Sequence, residues 1–296
     1  MSIQPVLIVI VGPTASGKSN LAIKLARKFN GEIVSADSRQ VFSGMDIGTG
    51  KVSKAEQRLA RHYLLDIANP RKEYTIAHFQ RDAQVAIQNI AKRGRLPFLV
   101  GGTAFWIDAV ANGYHFPHVK PNKALRKKLS KLSTDTLLSM LKKLDPRRAK
   151  SIDKRNPYRL IRAIEIIRAT KKPVQKIARE SPYRLLWLGI SVPQNKLRTN
   201  IHRRLLARMK QGMVAEVKRL LQNGVPARRL LSIGLEYRFI TLYLQGKLTK
   251  QEMLAKIEFA IRHYAKRQMT WWKRNLDIHW VRSYREARTL LNKYTT

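Results

Sequence analysis

Strand and helix patterns alternate over the first hundred residues. Val6–Val11 is an uninterrupted apolar run of the kind that is buried in a parallel sheet. Residues 19–29 carry apolar positions at helical spacing, and Gly31–Ser35 forms a second short strand pattern. A longer amphipathic helix is predicted over 75–92, and Leu96–Val100 is predicted as a third buried strand. This alternation predicts a mostly parallel sheet with helices on both faces.

The middle of the chain has a different pattern. Residues 114–182 predict helices with leucines on one side and lysines or arginines elsewhere, bounded by Pro117 and Pro182. A fourth strand is predicted over 184–192, and helical periodicity resumes from Gln194. The sequence therefore predicts three parts: the first part of an α/β core (1–113), a helical insertion domain (114–182), and the completion of the core with C-terminal helices (183–296).

Charge is unevenly distributed along the chain. The 59 lysines and arginines exceed the 19 aspartates and glutamates by 40, and 33 of those excess charges follow Val110. Clustered basic residues neutralise phosphates and are the usual electrostatic source of nucleic-acid affinity. A uniformly basic, solubilising surface is the alternative. We expect a polyanionic partner, with RNA and DNA both open at this point, and a hydrophobic content of 44% excludes a disordered basic tail.

The composition of the chain also bears on its location in the cell. The chain has no cysteine, which excludes disulfides and cysteine-ligated metal sites and fits a reducing cytoplasm. The early apolar run Val6–Val11 has no basic lead-in and is too short for a secretory signal or a membrane span, and no later apolar run approaches 18 residues. We therefore expect a cytoplasmic protein with no membrane association.

A phosphate-binding motif follows the first predicted strand. The pattern G-x-x-x-x-G-K-[ST] opens the next helix, which is the context that a P-loop requires. Its backbone N–H groups and Lys18 would bind a di- or triphosphate, and the Ser19 hydroxyl would face Mg²⁺. The fold class predicted is thus α/β, a P-loop NTPase-like parallel-sheet core with a basic all-helical insertion and a helical C-terminal part. The motif comprises Gly12, Pro13, Thr14, Ala15, Ser16, Gly17, Lys18 and Ser19.

The carboxylates near this loop differ from those of a nucleotide hydrolase. Such enzymes carry an acid at the end of a later buried strand, whereas the third strand here runs into Gly101 and Gly102. Asp37, just past the second strand, is the candidate metal ligand or general base, and Asp46 is a looser second candidate. The alternative for Asp37 is a helix or turn cap together with Ser38.

Further ordered motifs give a resemblance to a known family. Over nearly its whole length the chain resembles the tRNA dimethylallyltransferases, also called isopentenyl-tRNA transferases. That family transfers a dimethylallyl group from dimethylallyl diphosphate to the exocyclic amine (N6) of the adenosine 3′-adjacent to the anticodon, with Mg²⁺, releasing diphosphate. The segments that carry the resemblance are 12–19, 35–42, 44–49, 62–66, 99–103, 145–146, Arg159, 162–163, 265–268 and 270–271.

The resemblance implies roles at the donor and acceptor sites. The P-loop and Arg204 would bind the donor diphosphate, with Lys18 acting in catalysis and Ser19 and Asp37 holding the metal. Asp37 matches the family's general base, which would take the proton of the attacking amine. Thr103 matches a residue that holds the target nucleoside, although a plain helix cap is its alternative.

The resemblance also implies contacts with the anticodon stem-loop of tRNA, whose target base must be extruded. For isolated arginines the alternative is a solvated helix face, and Trp271, Trp272 and Trp280 are expected to pack the C-terminal helix rather than stack on bases. Ile233 and Phe42 depart from the family pattern. The implied tRNA-binding residues are Asp37, Ser38, Arg39, Gln40, Thr103, Arg126, Tyr158, Arg159, Leu160, Ile161, Arg162, Tyr237 and Arg238.

Two other functions are compatible with a P-loop. One is a kinase acting on a small metabolite or an RNA end, and the other is a non-catalytic RNA-binding protein with a vestigial loop. The kinase lacks its late-strand acid, and the binding protein leaves Asp37 beside an intact loop unexplained. We therefore expect a monomeric, Mg²⁺-dependent transferase that acts on tRNA and dimethylallyl diphosphate.

Overall fold

The computed structural model describes residues 4–175 and 177–295, which form two compact units. The core unit contains the residues up to Gly113 and those from Glu180 onward, and the helical unit is Tyr114–Arg179. The sequence placed the end of the insertion at residue 182, whereas the helical unit ends at Arg179. Each unit has its own hydrophobic core.

A parallel sheet forms the centre of the core unit. Its spatial order is β3-β2-β4-β1-β5-β6, and every neighbouring pair runs in parallel. The carboxyl ends of β1, β2 and β4 therefore lie at one edge, where ligands bind in sheets of this type. In the described residues the strands are β1 (Val6–Val11), β2 (Gly31–Ser35), β3 (His62–Tyr63), β4 (Leu96–Val100), β5 (Arg184–Ile190) and β6 (Ile278–Val281).

Helices cover both faces of the sheet, because successive side chains of a strand point to opposite sides. The described helices are α1 (Lys18–Lys28), α2 (Lys54–Leu59), α3 (Ile76–Lys92), α4 (Ala104–Ala111), α5 (Lys123–Leu129), α6 (Thr134–Leu144), α7 (Pro146–Ser151), α8 (Pro157–Thr170), α9 (Gln194–Lys210), α10 (Met213–Gln222), α11 (Ala227–Ile233), α12 (Leu235–Leu244), α13 (Lys250–Trp272) and α14 (Tyr284–Thr295).

The central strand β1 shows how this packing arises. Ile8 and Ile10 pack in a cluster with residues of α1 and α14. Leu7 and Val9 belong to the opposite cluster, with residues of α3, α4 and α9–α13. All four side chains are fully buried. A strand buried on both faces reads as a continuous apolar run, as observed here.

Helix α13 crosses the core unit from the surface to its centre. Thr249 caps its N-terminus in a reciprocal pair with Glu252. At the other end Trp272 is fully buried, with its ring 6.1 Å from that of Trp187 on β5. The expectation that Trp272 packs a C-terminal helix against the core is confirmed for α13, its own helix, which α14 follows along the chain.

The helical unit packs α5–α8 around buried leucine and isoleucine side chains. Asn156 caps α8 and Pro157 occupies its first turn, so the sequence defines this helix start locally. The unit contains 20 lysines and arginines and 4 aspartates and glutamates, a formal net charge of +16. Its 66 residues thus carry a large share of the chain's excess positive charge.

The predicted α/β fold with a parallel sheet is confirmed, and the corrections concern short elements. The two-residue strand β3 and the four-residue strand β6 were not predicted, since they are too short for a periodic signal. Trp280, expected to pack the C-terminal helix, lies on β6. The predicted strand over 184–192 ends at Ile190. Within the described residues, none of the helices is long and apolar enough to span a membrane.

Candidate active site

The loop between β1 and α1 has the backbone of an anion-binding cradle. Gly12, Ala15 and Gly17 have φ angles of 145°, 62° and 90°. Left-handed residues spaced in this way let backbone N–H groups point to one anion. The Ser16 hydroxyl is buried and has no hydrogen-bond partner among the described residues. A buried polar atom left unpaired in such a loop fits a site whose partner is a bound phosphate.

Lys18 lies within this cradle. Its Nζ donates a hydrogen bond to the Pro13 carbonyl oxygen at 2.7 Å. The pKa of Lys18 is lowered to about 7, first by burial and then by the neighbouring Arg204 cation, while the Asp37 carboxylate acts in the opposite direction. Because a bound anion favours the charged ammonium, anion binding at this loop is linked to proton uptake.

Gln268 of α13 joins the P-loop to the segment after β4. Gln268 Oε1 accepts a hydrogen bond from the Thr14 N–H at 2.8 Å, and its Nε2 donates to the Gly102 carbonyl oxygen at 2.7 Å. The Tyr264 hydroxyl donates to the same oxygen at 3.0 Å. A Cβ on Gly102 would lie 2.5 Å from Gln268 Nε2, so a side chain here would displace the Gln268 amide from this position.

Asp37 follows β2 at the same edge of the sheet. Its Oδ1 accepts a hydrogen bond from the Arg39 N–H at 2.9 Å, so the turn role considered for this residue is present. Burial and, after it, the Asp37 carboxylate raise the pKa of Tyr264. Asp37 also acts electrostatically on Lys18 and Arg204. The carboxylate therefore serves the turn and faces the P-loop as well.

One cavity collects these groups. Its volume is about 80 Å³, and Asp37 is its acidic lining residue within the described part of the chain. Asp46, the second candidate, does not line it: this exposed carboxylate is paired with Lys51 at 2.6 Å. A larger and shallower depression of about 580 Å³ elsewhere on the core unit contains none of the P-loop residues. Side chains lining the cavity include Lys18, Ser19, Asp37, Gln40, Arg204, Tyr264 and Gln268.

Thr103 contacts the segment that carries Asp37. Although it precedes α4, its side chain makes no capping hydrogen bond, so the helix-cap alternative is wrong. Instead its Oγ1 accepts from the Ser38 N–H at 3.0 Å and donates to the Ser38 hydroxyl at 3.3 Å. Its contact with a target nucleoside stays a prediction.

Arg204 reaches the cavity from α9. Its Nη2 donates to the Gly50 carbonyl oxygen at 3.0 Å, and Gln40 Nε2 approaches the same oxygen at 3.4 Å. Desolvation of its guanidinium by the surrounding protein, followed by the nearby Arg208 cation, lowers the pKa of Arg204. Two cations, the partly buried Lys18 and the exposed Arg204, thus line one cavity with a single carboxylate, which leaves it suited to an anionic ligand.

The donor set fits a magnesium ion only when a phosphate is present. Among the described residues no group of three or more histidine, aspartate or glutamate side chains could enclose a metal. Ser19 and Asp37 line the same cavity as Lys18. Mg²⁺ is commonly held by one or two protein oxygens together with substrate phosphates, which matches this arrangement.

Two of the predicted tRNA-binding arginines in the helical unit are internally paired. Glu165 is buried and receives Arg126 Nη2 at 2.7 Å and Arg162 Nη1 at 2.5 Å. Burial opposes ionisation, yet hydrogen bonds from these two arginines lower the pKa of Glu165 to about 2. Both arginines therefore have a structural role in the helical unit, and their contact with RNA stays a prediction.

The neighbouring predicted residues of α8 divide into exposed and buried side chains. Tyr158 is 83% exposed, and the Arg159 side chain is 58% exposed with Asp153 4.0 Å away. Leu160 and Ile161 are buried in the helical unit. A side-chain contact with RNA at this helix start is thus open to Tyr158 and Arg159.

The predicted residues of the core unit also differ in exposure. Arg238 is exposed, and its Nε donates to the Leu231 carbonyl oxygen at 2.8 Å. Tyr237 is buried and donates its hydroxyl to Glu216 Oε1 at 2.7 Å, so its side chain is closed to RNA in this structure. Arg39 is partly buried beside Asp37. Burial lowers the pKa of the Arg39 guanidinium, and the Asp37 carboxylate raises it by a smaller amount.

Sequence reasoning gave no role to several groups at this site. Tyr264 and Gln268 lie in or beside the segment 265–268 that carries the family resemblance, and that motif was the available signal. Gly50 and Glu216 act through contacts between distant segments. No local pattern marks such contacts.

Comparisons with known proteins agree with this geometry. The IPP transferase family model matches residues 40–275. A tRNA dimethylallyltransferase of Geotalea uraniireducens is 43% identical over 281 residues, which covers 93% of this chain and 92% of that protein. The crystal structure of a tRNA isopentenylpyrophosphate transferase from Bacillus halodurans aligns with a TM-score of 0.73 and 33% identity, over 98% of this chain and 95% of that one.

A eukaryotic dimethylallyltransferase, captured in crystals acting on tRNA, gives a TM-score of 0.80 at 27% identity. The alignment covers 94% of this chain and 74% of that chain. Sequence likeness, fold and the P-loop cavity lead to the same assignment. This chain belongs to the tRNA dimethylallyltransferase family.

Proposed function

We propose that this protein transfers a dimethylallyl group from dimethylallyl diphosphate to N6 of the adenosine 3′-adjacent to the anticodon of tRNA, with release of diphosphate. Family membership supports the reaction class. The observation that carries the proposal is one cavity in which the Asp37 carboxylate lies with Lys18 and Ser19 of the P-loop. A base and a diphosphate site side by side are what this reaction requires.

The leaving group is accommodated by the P-loop. Its backbone N–H groups, the unpaired Ser16 hydroxyl and the Lys18 ammonium would bind the diphosphate. Negative charge develops on the diphosphate as the bond between its oxygen and the allylic carbon breaks, and Arg204 adds a second cation there. Ser19 and Asp37 would hold Mg²⁺, which when bound supplies further neutralisation of that charge.

The acceptor is an exocyclic aromatic amine, which is a weak nucleophile. A carboxylate that takes its proton as the nitrogen–carbon bond forms contributes about 10²- to 10⁴-fold in rate. Asp37 is oriented by the Arg39 N–H, and its segment is held by Thr103. The target base must leave the stacked anticodon loop to reach this edge of the sheet.

Binding of the tRNA is supported by charge. The helical unit has a net charge of +16 in 66 residues and exposes Tyr158 and Arg159 at the start of α8. Lysines and arginines of this density neutralise the phosphates of a stem, while bases of the loop are read by other contacts. We propose the anticodon stem-loop as the part of tRNA that is bound.

A kinase is not favoured by the same geometry. A P-loop phosphotransferase needs an acid at the end of a later strand for its metal. Here β4 is followed by Gly101, where a Cβ would overlap the Ala36 carbonyl group, so no acidic side chain fits at this position. The chain also belongs to a family of tRNA dimethylallyltransferases, which is not a kinase family.

Incubation of the purified protein with an anticodon stem-loop tests the proposal. Dimethylallyl diphosphate with Mg²⁺ should increase the mass of one adenosine by a dimethylallyl group, as measured by mass spectrometry of the digested nucleosides. An RNA with that adenosine replaced by guanosine is the control and should stay unmodified. Phosphate transfer from ATP with no transfer from dimethylallyl diphosphate would refute the proposal and favour the kinase.

A further inference from the structure

Glu216 of α10 forms an unusual anchor inside the core unit. Its carboxylate is 1% exposed and accepts hydrogen bonds from three successive backbone N–H groups, those of Asp46 (2.8 Å), Ile47 (2.7 Å) and Gly48 (3.0 Å). The Tyr237 hydroxyl donates a fourth, at 2.7 Å. No salt bridge to this carboxylate is found among the described residues. Its charge is therefore balanced by backbone and hydroxyl dipoles.

The anchored loop leads directly to the P-loop cavity. Two residues after Gly48, the Gly50 carbonyl oxygen accepts the hydrogen bond of Arg204 Nη2 at 3.0 Å. Gly50 and Arg204 both line the cavity that contains Lys18. The position of the Arg204 guanidinium beside Lys18 thus depends on where this loop places its carbonyl group.

Packing leaves the loop little freedom to shift. A Cβ on Gly48 would lie 2.6–2.8 Å from atoms of the Tyr237 ring, which shows how closely this backbone packs on the ring. Arg208 Nη1 also donates to the Gly48 carbonyl oxygen at 2.9 Å, and its Nη2 donates to Glu236 at 3.0 Å. Glu216 satisfies the N–H groups of Asp46, Ile47 and Gly48, and no other acceptor for these three is found in the described residues.

We propose that Glu216 is a positioning residue for the donor diphosphate, acting through the loop 46–50 and Arg204. This inference rests on the proposed function. Loss of the carboxylate would leave buried N–H groups without an acceptor, and the loop would relax away from α10. Arg204 meets the diphosphate before and during bond cleavage, so its displacement weakens donor binding more than it slows turnover.

The variant Glu216→Gln tests this in the full-length protein. We expect the KM for dimethylallyl diphosphate to rise about tenfold, with kcat changed less than about threefold and the tRNA Kd within about twofold. Glu32→Gln is a matched control. Glu32 is also 1% exposed and also accepts a tyrosine hydroxyl, that of Tyr63 at 2.8 Å, but it lies near the amino end of β2 and does not line the cavity. It should leave all three constants unchanged.

A double-mutant cycle distinguishes action through Arg204 from a general loss of stability. If Glu216 acts through Arg204, adding Glu216→Gln to Arg204→Ala should raise the donor KM no further. The inference would be overturned if the increase in donor KM of the double variant equalled the product of the two single increases. Parallel losses in donor affinity, tRNA affinity and kcat would overturn it as well. Should Glu216→Gln fail to fold, Tyr237→Phe removes one of the four hydrogen bonds, and an unchanged donor KM in that variant would also overturn it.

Inorganic diphosphate separates this inference from the proposed reaction. Its binding to the wild type and to Glu216→Gln is measured by calorimetry without tRNA or a prenyl group. Weaker binding in the variant supports the anchor even if no prenyl transfer is found, and equal binding overturns it. Absence of prenyl transfer by the wild type counts against the proposed function alone.

Discussion

The Thr103 side-chain oxygen lies 3.0 Å from the Ser38 backbone nitrogen, although 65 residues separate them in sequence. The two residues follow β4 and β2, which are neighbours in the sheet. Their hydrogen bond ties the segment that carries Asp37 to the start of α4. The candidate base is thereby attached to a rigid element rather than to a free loop.

Thr103→Val should reduce kcat by about tenfold or more, because it leaves the Ser38 N–H without its acceptor and loosens the Asp37 segment. Single-turnover transfer to an anticodon stem-loop measures the effect. Thr241→Val is the matched control: its hydroxyl is buried with no hydrogen-bond partner in the described residues, so this change should be neutral or stabilising. Full activity in Thr103→Val would show that the hydrogen bond does not position Asp37.

Asp37→Asn should lower turnover by about 10²- to 10⁴-fold while tRNA affinity stays within a few-fold. Asparagine keeps an oxygen that can accept the Arg39 N–H, so the turn is preserved while the base is removed. Asp46→Asn, outside the cavity, should leave turnover unchanged. Equal losses of affinity and turnover would make Asp37 a binding residue, and an unaltered Mg²⁺ requirement in Asp37→Asn would exclude it from the metal site.

Binding of diphosphate should be coupled to proton uptake through Lys18. The free protein holds the pKa of Lys18 at about 7, so at about pH 8 this group is mostly neutral. A bound anion raises the pKa of the ammonium, and the complex takes up close to one proton. Donor affinity should therefore fall as pH rises above 7. Calorimetry in buffers of different ionisation enthalpy measures the uptake, which Lys18→Met should abolish.

Arg159→Ala should weaken binding of every tRNA similarly and reduce the slope of log affinity against log salt by about one unit. Arg126→Ala should instead lower the melting temperature, because buried Glu165 loses one of its two arginine partners. Lys24→Ala, on the exposed face of α1, is the control for the salt slope. An unaltered slope in Arg159→Ala would place the RNA elsewhere.

Much of the core fold follows from local sequence. β1, β2 and β4 have the predicted bounds. For β1 the reason is that a strand buried on both faces is a continuous apolar run, here ended by Gly12. β3 and β6 were not predicted, because strands of two and four residues are too short to show a periodic pattern. They form by pairing with strands already in place, β2 and β5.

Only part of the candidate site could be predicted from local sequence. The P-loop is a contiguous motif whose glycines and lysine act within one turn, so its place beside Asp37 follows from the parallel strand order. The sequence did not reveal which of the predicted RNA-binding side chains are exposed. Tyr237 matches a family position but is buried on Glu216, and Arg126 lies on a basic helix but pairs with Glu165.

The sequence by itself determined the strand–helix alternation, the anion-binding loop, the basic insertion and the family. These depend on residue types at short spacing, where backbone sterics and side-chain periodicity act. Only the tertiary structure decided that Gln268 would bond to Thr14 across 254 residues and that Glu216 would hold the loop before Gly50. Contacts of this kind arise when packing of the sheet and helices brings distant polar groups together in a buried place, where each needs a partner.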